Sequence, residues 1–440
     1  MYIPEKKPLF RKTNGASNLY RIALLLGMII IMLFILQNIT RGAVTPFFMP
    51  TLTPTRNIDS YVQEAETHFI AGDLNSALEA FRQAAIVDPQ NINIWIELAR
   101  IQTYSSKRLT TDQARFERLS EARESIERAI EINPENSTAR AVHAFVLDWL
   151  SNPGLSGEES TALLTKAEQE AVAALQLDNQ NTLALAYYAE VLVDQQKWIQ
   201  ANQYIREAVQ RDPSIMDVHR INGFVQESLG NYSEAISAYK RAAEINPNLS
   251  FLYLSIGANY RQIRQYELAL EYFAKAAMIN EQLNINDPIP YLSIATTYVQ
   301  MGQFFSAGLN ARKALNYAPD DPDAYGRLGV IYHRSRNYEG AIEAFKCAVQ
   351  GCSAEESCAV RQCNEATDLM IAINGLPLTA NTVVYYFTYG SVLAAMHQDA
   401  NGYCEEATQI LRLVRQEYSN DPTIMQIVTE SENICAYYGY

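Results

Sequence analysis

No cysteine precedes Cys347, and the 440 residues include only five histidines. His68, His143, His219, His333 and His397 lie far apart, with no i, i+4 pair and no H-E-x-x-H, which excludes the helical zinc-hydrolase pattern. The chain has no C-x-x-C, so the usual dithiol redox motif and the paired-cysteine zinc site are also absent. There is no Walker-type loop, no dinucleotide glycine motif and no Gly-x-Ser-x-Gly elbow. Positive charge is scarce: 35 Lys and Arg against 49 Asp and Glu give a net charge of −14. Such an acidic surface disfavours nucleic acid, whose binding rests on neutralising phosphates. Acidic neighbours such as Glu405-Glu406 and Asp320-Asp321 fall where turns and solvated faces are expected. Nothing here forms a catalytic, cofactor-binding or metal-ligating constellation, so the expectation is a non-enzymatic protein without a cofactor.

One long apolar run is present. Residues 22–39 carry no charge, and at about 1.5 Å per residue they reach roughly 27 Å as a helix. Lys6, Lys7, Arg11, Lys12 and Arg21 precede the run, while Arg41 and Arg56 follow it. The positive-inside rule then predicts a single-pass anchor with a cytoplasmic N-terminal tail (1–21) and an extracytoplasmic remainder. A cleaved signal peptide is the alternative. A Pro/Thr-rich stalk follows at 40–57. The first 56 residues hold seven Lys/Arg and one acid, a balance of +6, so the remainder carries −20.

The main body is repetitive. Tyr253-x-x-Ile256-Gly257-x-x-Tyr260, then Ala269-x-x-x-Phe273 and Ala276, returns as Tyr325-x-x-Leu328-Gly329-x-x-Tyr332, then Ala341-x-x-x-Phe345 and Ala348. Large residues recur at helical spacing, and small ones mark where neighbouring helices must approach closely. Asp-Pro or Asn-Pro stops at Pro89, Pro134, Pro213 and Pro247 end the second helix of each unit. Pro213 to Pro247 is 34 residues, whereas Pro89 to Pro134 is 45, a surplus assigned to long loops near 105–113 and 151–159. The period and these residues resemble the tetratricopeptide repeat family. The resemblance implies an all-α superhelical solenoid: eight repeats over 58–350, a cysteine-containing insertion at 351–382, a degenerate ninth repeat at 383–418 and a capping helix at 419–440.

All six cysteines lie in the last quarter. The spacing Cys347-x4-Cys352-x5-Cys358-x4-Cys363 is symmetric about residue 355, and a helical hairpin turning there pairs Cys347 with Cys363 and Cys352 with Cys358. Cys404 and Cys435 remain as a third pair, whose 31-residue loop would add about 3–4 kcal/mol. Bound zinc and free buried thiols are the alternatives.

The family's inward-facing positions fall on Tyr187, Glu190, Arg220, Phe224, Phe251, Arg261, Arg327 and His333. Aromatic and cationic groups of this kind are enriched at interface hot spots. The resemblance thus implies a scaffold whose concave groove takes a protein or peptide partner. In architecture the chain looks like bacterial anchored repeat proteins that assist envelope assembly or translocation. A peptide- or glycan-recognition module, or a cytoplasmic-facing assembly regulator with metal-bound cysteines, are the competing readings.

Overall fold

The computed structural model describes residues 18–40, 56–109, 111–364 and 366–440. It divides into two units, Met1–Asn57 and Ile58–Tyr440. In the first, helix α1 (Leu19–Thr40) forms over the apolar run. The uninterrupted apolar stretch within it, Ile22 to Leu36, stops before Gln37 and Asn38 and so covers only about 22 Å against a bilayer core of roughly 30 Å. Among the described residues no helix is long and apolar enough to cross a membrane. This overturns the expected anchor at 22–39, and with it the N-in topology and the extracytoplasmic placement of the repeats. The stalk sequence Thr45–Thr55 and the basic residues Lys6 to Lys12 lie outside the described residues.

The second unit is almost entirely helical. Its helix pairs are α2 (Ile58–Ala71) with α3 (Leu74–Val87), and α4 (Ile92–Ser106) with α5 (Asp112–Ile132). Next come α6 (Ser137–Leu150), the single turn α7 (Pro153–Ser156) and α8 (Ser160–Leu177), then α9 (Thr182–Asp194) with α10 (Trp198–Arg211). They are followed by α11 (Met216–Ser228) with α12 (Tyr232–Ile245), α13 (Ser250–Gln262) with α14 (Tyr266–Gln282), α15 (Ile289–Gln300) with α16 (Phe304–Tyr317), and α17 (Pro322–Arg334) with α18 (Tyr338–Val349). Beyond them lie β1 (Gly351–Cys352), α19 (Ala354–Arg361), β2 (Ile373–Asn374), α20 (Val383–Ala395), α21 (Tyr403–Tyr418) and α22 (Pro422–Tyr437).

Local chemistry explains the pairing. Asn91, Asn136, Asn181 and Asp321 each sit before a first helix and accept a backbone N–H of its first turn, satisfying donors that a helix start leaves open. A Cβ added at Gly257 would come within 2.6 Å of the Phe273 ring, and one at Gly329 within 2.6 Å of Phe345. The repeated glycine is therefore a contact surface for the aromatic of the partner helix. The 11-residue surpluses are helical rather than long loops. The first lengthens α5 to 21 residues, and the second forms α7 and a 3-10 turn and lengthens α8 to 18 residues.

The cysteine ladder folds differently from the hairpin expected. Ser353 accepts from the Glu356 N–H and donates its own N–H to the Glu356 carboxylate, so a helix starts where the hairpin turn was placed. Gly351 (φ 88°) turns the chain first, and β1 pairs antiparallel with β2. Each cysteine then meets its near neighbour: Cys347 bonds Cys352 (Cα–Cα 4.6 Å) and Cys358 bonds Cys363 (5.0 Å). The nested Cys347–Cys363 and Cys352–Cys358 pairs do not form. Cys404 bonds Cys435, joining α21 to α22.

The solenoid also closes on itself. Asn248, before α13, donates its side-chain N–H to the Ile70 carbonyl (3.1 Å), 178 residues away. Arg108 donates to the Gly72 carbonyl (2.6 Å). Gly72 has φ 81°, and a Cβ there would lie 2.2 Å from the Asn248 carbonyl oxygen. Gly230 occupies the matching turn of a later pair with φ 79° and open space around it. Gly230→Ala should therefore cost only backbone strain, about 1 kcal/mol. Gly72→Ala should cost at least about 2 kcal/mol, because the closing contact is lost as well. Urea unfolding of both variants checks this, and equal losses would show that the closure contributes nothing.

Candidate functional site

The first helices α4, α6, α9, α11 and α13 run the same way around the axis of the closed turn, and each presents residues three or four apart along one face. These are Arg100 and Tyr104 on α4, with Lys107 as its C-cap; Phe145, Asp148 and Trp149 on α6; Tyr187, Glu190 and Asp194 on α9; Asp217, Arg220 and Phe224 on α11; and Phe251 and Leu254 on α13. Their side chains are long enough to meet across the axis.

At the deepest level stands Asp217, 2% exposed. Its carboxylate accepts from Arg100 Nη1 (2.9 Å), from the Tyr104 hydroxyl and from the Tyr187 hydroxyl (2.6 Å). Burial alone would raise this carboxyl. The Arg100 and Arg220 guanidiniums and the two hydroxyls outweigh burial and hold it below the usual carboxylate range. One turn along, Arg220 forms a two-pronged pair with Glu190 (2.8 and 2.6 Å) and donates to the Tyr104 oxygen (3.2 Å). Trp149 Nε1 donates to Glu190 as well (3.1 Å). The apolar parts stack: Tyr104 on Phe251 (5.4 Å) and Phe145 on Tyr187 (4.6 Å), with Arg220 over the Phe145 ring (5.3 Å).

Above this cluster opens a cavity of about 780 Å³, whose lining includes Lys107, Asp148, Trp149, Glu190, Asp194, Arg220, Phe224 and Phe251. Lys107 lies over the Trp149 ring (4.6 Å to its centroid). Burial, then Arg220, lowers its ammonium to about 8. Asp194 is raised to about 6, first by burial and then by Glu190, against Lys107. Asp148 is 2% exposed, and neither of its carboxylate oxygens has a hydrogen-bond partner in the protein. Burial, then Asp194 and Glu190, push its carboxyl well up. Among the described residues no cluster of His, Cys, Asp and Glu is arranged to hold a metal ion.

The eight inward positions therefore separate. Glu190, Arg220, Phe224 and Phe251 line the cavity, and Tyr187 lies beneath it. Glu190 and Tyr187 are engaged by the neighbouring first helices, and Arg220 and Phe251 also meet Tyr104 across the turn, so this stretch is not an open groove. Arg261 instead covers the Phe273 ring (5.4 Å). Arg327 is exposed and paired with Asp323 (2.6 Å), and His333 is half-buried with its ring 6.0 Å from that of Tyr338. Sequence reading missed Arg100, Tyr104, Asp148, Asp194 and Asp217. Their signal was there: charged residues three or four apart on one face of a first helix, Asp217 and Arg220 on α11 and Glu190 and Asp194 on α9, opposite the basic Arg100 of α4.

Comparison with known proteins agrees with this architecture. The tetratricopeptide repeat family model matches residues 188–250, 227–284 and 292–356. Tetratricopeptide repeats are thus matched over 188–284 and 292–356. It is 27% identical over 126 residues to anaphase-promoting complex subunit 3 of Schizosaccharomyces pombe, covering 29% of this chain and 18% of that one. A small glutamine-rich tetratricopeptide repeat-containing protein 2 of Mycosarcoma maydis is 33% identical over 87 residues, 20% of this chain and 24% of that protein. The chain thus spans less than a quarter of these relatives. The human IFIT1 dimer with PPP-AAAA superposes with a TM-score of 0.53 over 88% of this chain and 92% of that one, at 16% identity, a likeness of fold.

Two expectations follow for the inner cluster. Asp217→Asn leaves Arg100 and Arg220 undercompensated in a buried site and should lower unfolding free energy by about 3–5 kcal/mol, measured by urea denaturation. For Asp194, the unfolded carboxyl ionises near 3.8 and the folded one near 6. Its contribution to stability is therefore complete below about pH 3.8, falls as pH rises to about 6 and is flat above. Asp194→Asn should remove that fall, so the variant should gain on wild type between pH 4 and pH 7 in paired urea midpoints.

Proposed function

We propose that the protein is a non-enzymatic scaffold that binds another polypeptide along its repeat surface. The observation that carries this reading is the stack itself: helix pairs from α2–α3 to α20–α21 form one extended side-chain surface, and the described residues hold no metal-ligating cluster. Supporting it, the matched fission-yeast relative is by name a subunit of a multi-protein complex. The inner face of α4 to α13 is occupied by its own side chains, so the surface offered to a partner lies further on. Arg327 and His333 on α17 mark that accessible stretch.

A photo-crosslinking residue placed at Arg327 or at His333 tests this in the native host. The expected result is a discrete adduct with a second polypeptide, missing when the crosslinker replaces Ile199, which is 75% exposed on the second helix α10. Absence of an adduct at both α17 positions would remove this surface from consideration.

A further inference from the structure

We propose that the central cavity is a binding site for a small organic cation, an alkyl amine whose ammonium is held by Asp148 and Asp194 and whose stem lies on Trp149 and Phe224. The site is independent of the partner surface on α17. Its floor is sealed by the Asp217 cluster, where Arg100 and Tyr104 of α4 and Tyr187 of α9 converge on α11. A cavity of about 780 Å³ closed at one end matches a compact ligand rather than a chain threading through.

Hydrogen bonding selects the ligand's chemistry. Asp148 is 2% exposed with both oxygens unpartnered, and a buried carboxyl in that condition calls for a donor. Asp194, open to the cavity, has no ion pair within salt-bridge distance among the described residues. Glu190 is already engaged by Arg220 and Trp149. Lys107 is the one lining cation with neither an ion pair nor a hydrogen bond among the described residues, and it balances only one of the two free carboxyls. The other lining charges are compensated among themselves, Arg220 by Glu190, Arg108 by Asp287 and Arg115 by Asp112, so a cationic guest lets Asp148 ionise without leaving an unbalanced charge beside it. The guest's N–H groups would supply charge-assisted bonds to both aspartates. The aromatic wall already accepts such a group, since the Lys107 ammonium rests on the Trp149 face.

The cation could be a free amine or the side chain of a lysine in a peptide, and the two arms of one titration separate these sources. Full-length protein is titrated calorimetrically with spermidine, with a blocked lysine tripeptide, and with an uncharged diol of similar length. Saturable one-to-one binding of spermidine or of the tripeptide, with the diol silent, supports the proposal, and the tighter of the two names the source. Asp148→Asn and Asp194→Asn should each weaken that binding by about tenfold or more. Both are isosteric changes whose fold is checked by thermal melting. Lys107→Met removes a like charge and should tighten binding severalfold, whereas an anionic guest would be lost. Absence of binding in both arms, binding indifferent to both aspartate variants, or loss of binding in Lys107→Met would each overturn the assignment.

Discussion

Asp217 is the point on which the inner architecture turns. In a solenoid each repeat touches its neighbours, and curvature accumulates from the small rotation between successive pairs. Nearest-neighbour packing therefore sets a pitch but contains nothing that stops it. Here α4 and α11 are joined across 117 residues by the Arg100–Asp217 bond, with Tyr104 and Tyr187 donating to the same carboxylate. One guanidinium and two hydroxyls, from α4 and α9, converge on one acceptor, and the turn closes where that convergence is satisfied. The Asn248–Ile70 bond then latches the rim.

A buried ionic centre is a poor source of net stability, because desolvation offsets most of the attraction. Its effect is on uniqueness. An apolar plug of the same volume would tolerate a sliding register between α4 and α11, whereas a carboxylate with three named donors does not. The same logic explains why the wall above the plug is only partly satisfied. Burial acts first on the three groups above it; beyond burial, the Arg220 charge lowers the Lys107 ammonium, Glu190 raises Asp194, and Asp194 with Glu190 raises Asp148. Groups one helical turn above the knot inherit its electrostatics without a share in its hydrogen bonds.

The repeat phrase was legible because it is local. Gly257 before Phe273 and Gly329 before Phe345 carry their packing partner within the same unit, at a fixed offset. The Asn and Asp starts were legible for the same reason. What could not be read was anything that depends on how far the superhelix turns. Arg220 and Glu190 were expected to face a groove, but a groove and a closed knot differ only in curvature. Asp217, in the first turn of α11, looks in sequence like an ordinary acid at a helix start. The cysteine spacing misled through its symmetry: Ser353 and Glu356 form a capping box, a four-residue signal that outranks a symmetric ladder because it fixes the backbone locally. The apolar run misled by length, since Gln37 and Asn38 shorten it.

The two ends of the repeat body are stabilised by different physics, and this follows from where each end lies relative to the closed turn. The first pair, α2–α3, gains a second neighbour when Gly72 meets Asn248, so its outer face is not solely a solvent face. Among the described residues the last pair makes no hydrogen bond of that kind back to an early pair. Its exposed flank is covered by α22, a 16-residue helix that fully buries only Val428, Ser431 and Cys435 and so brings little apolar area of its own to the terminal repeat. The Cys404–Cys435 bond supplies what packing area does not, by holding α22 against α21 with Cys435 and Val428 buried. Closure at one end and covalent restraint at the other are thus alternative answers to one problem, the unpaired face that any finite stack of repeats must leave.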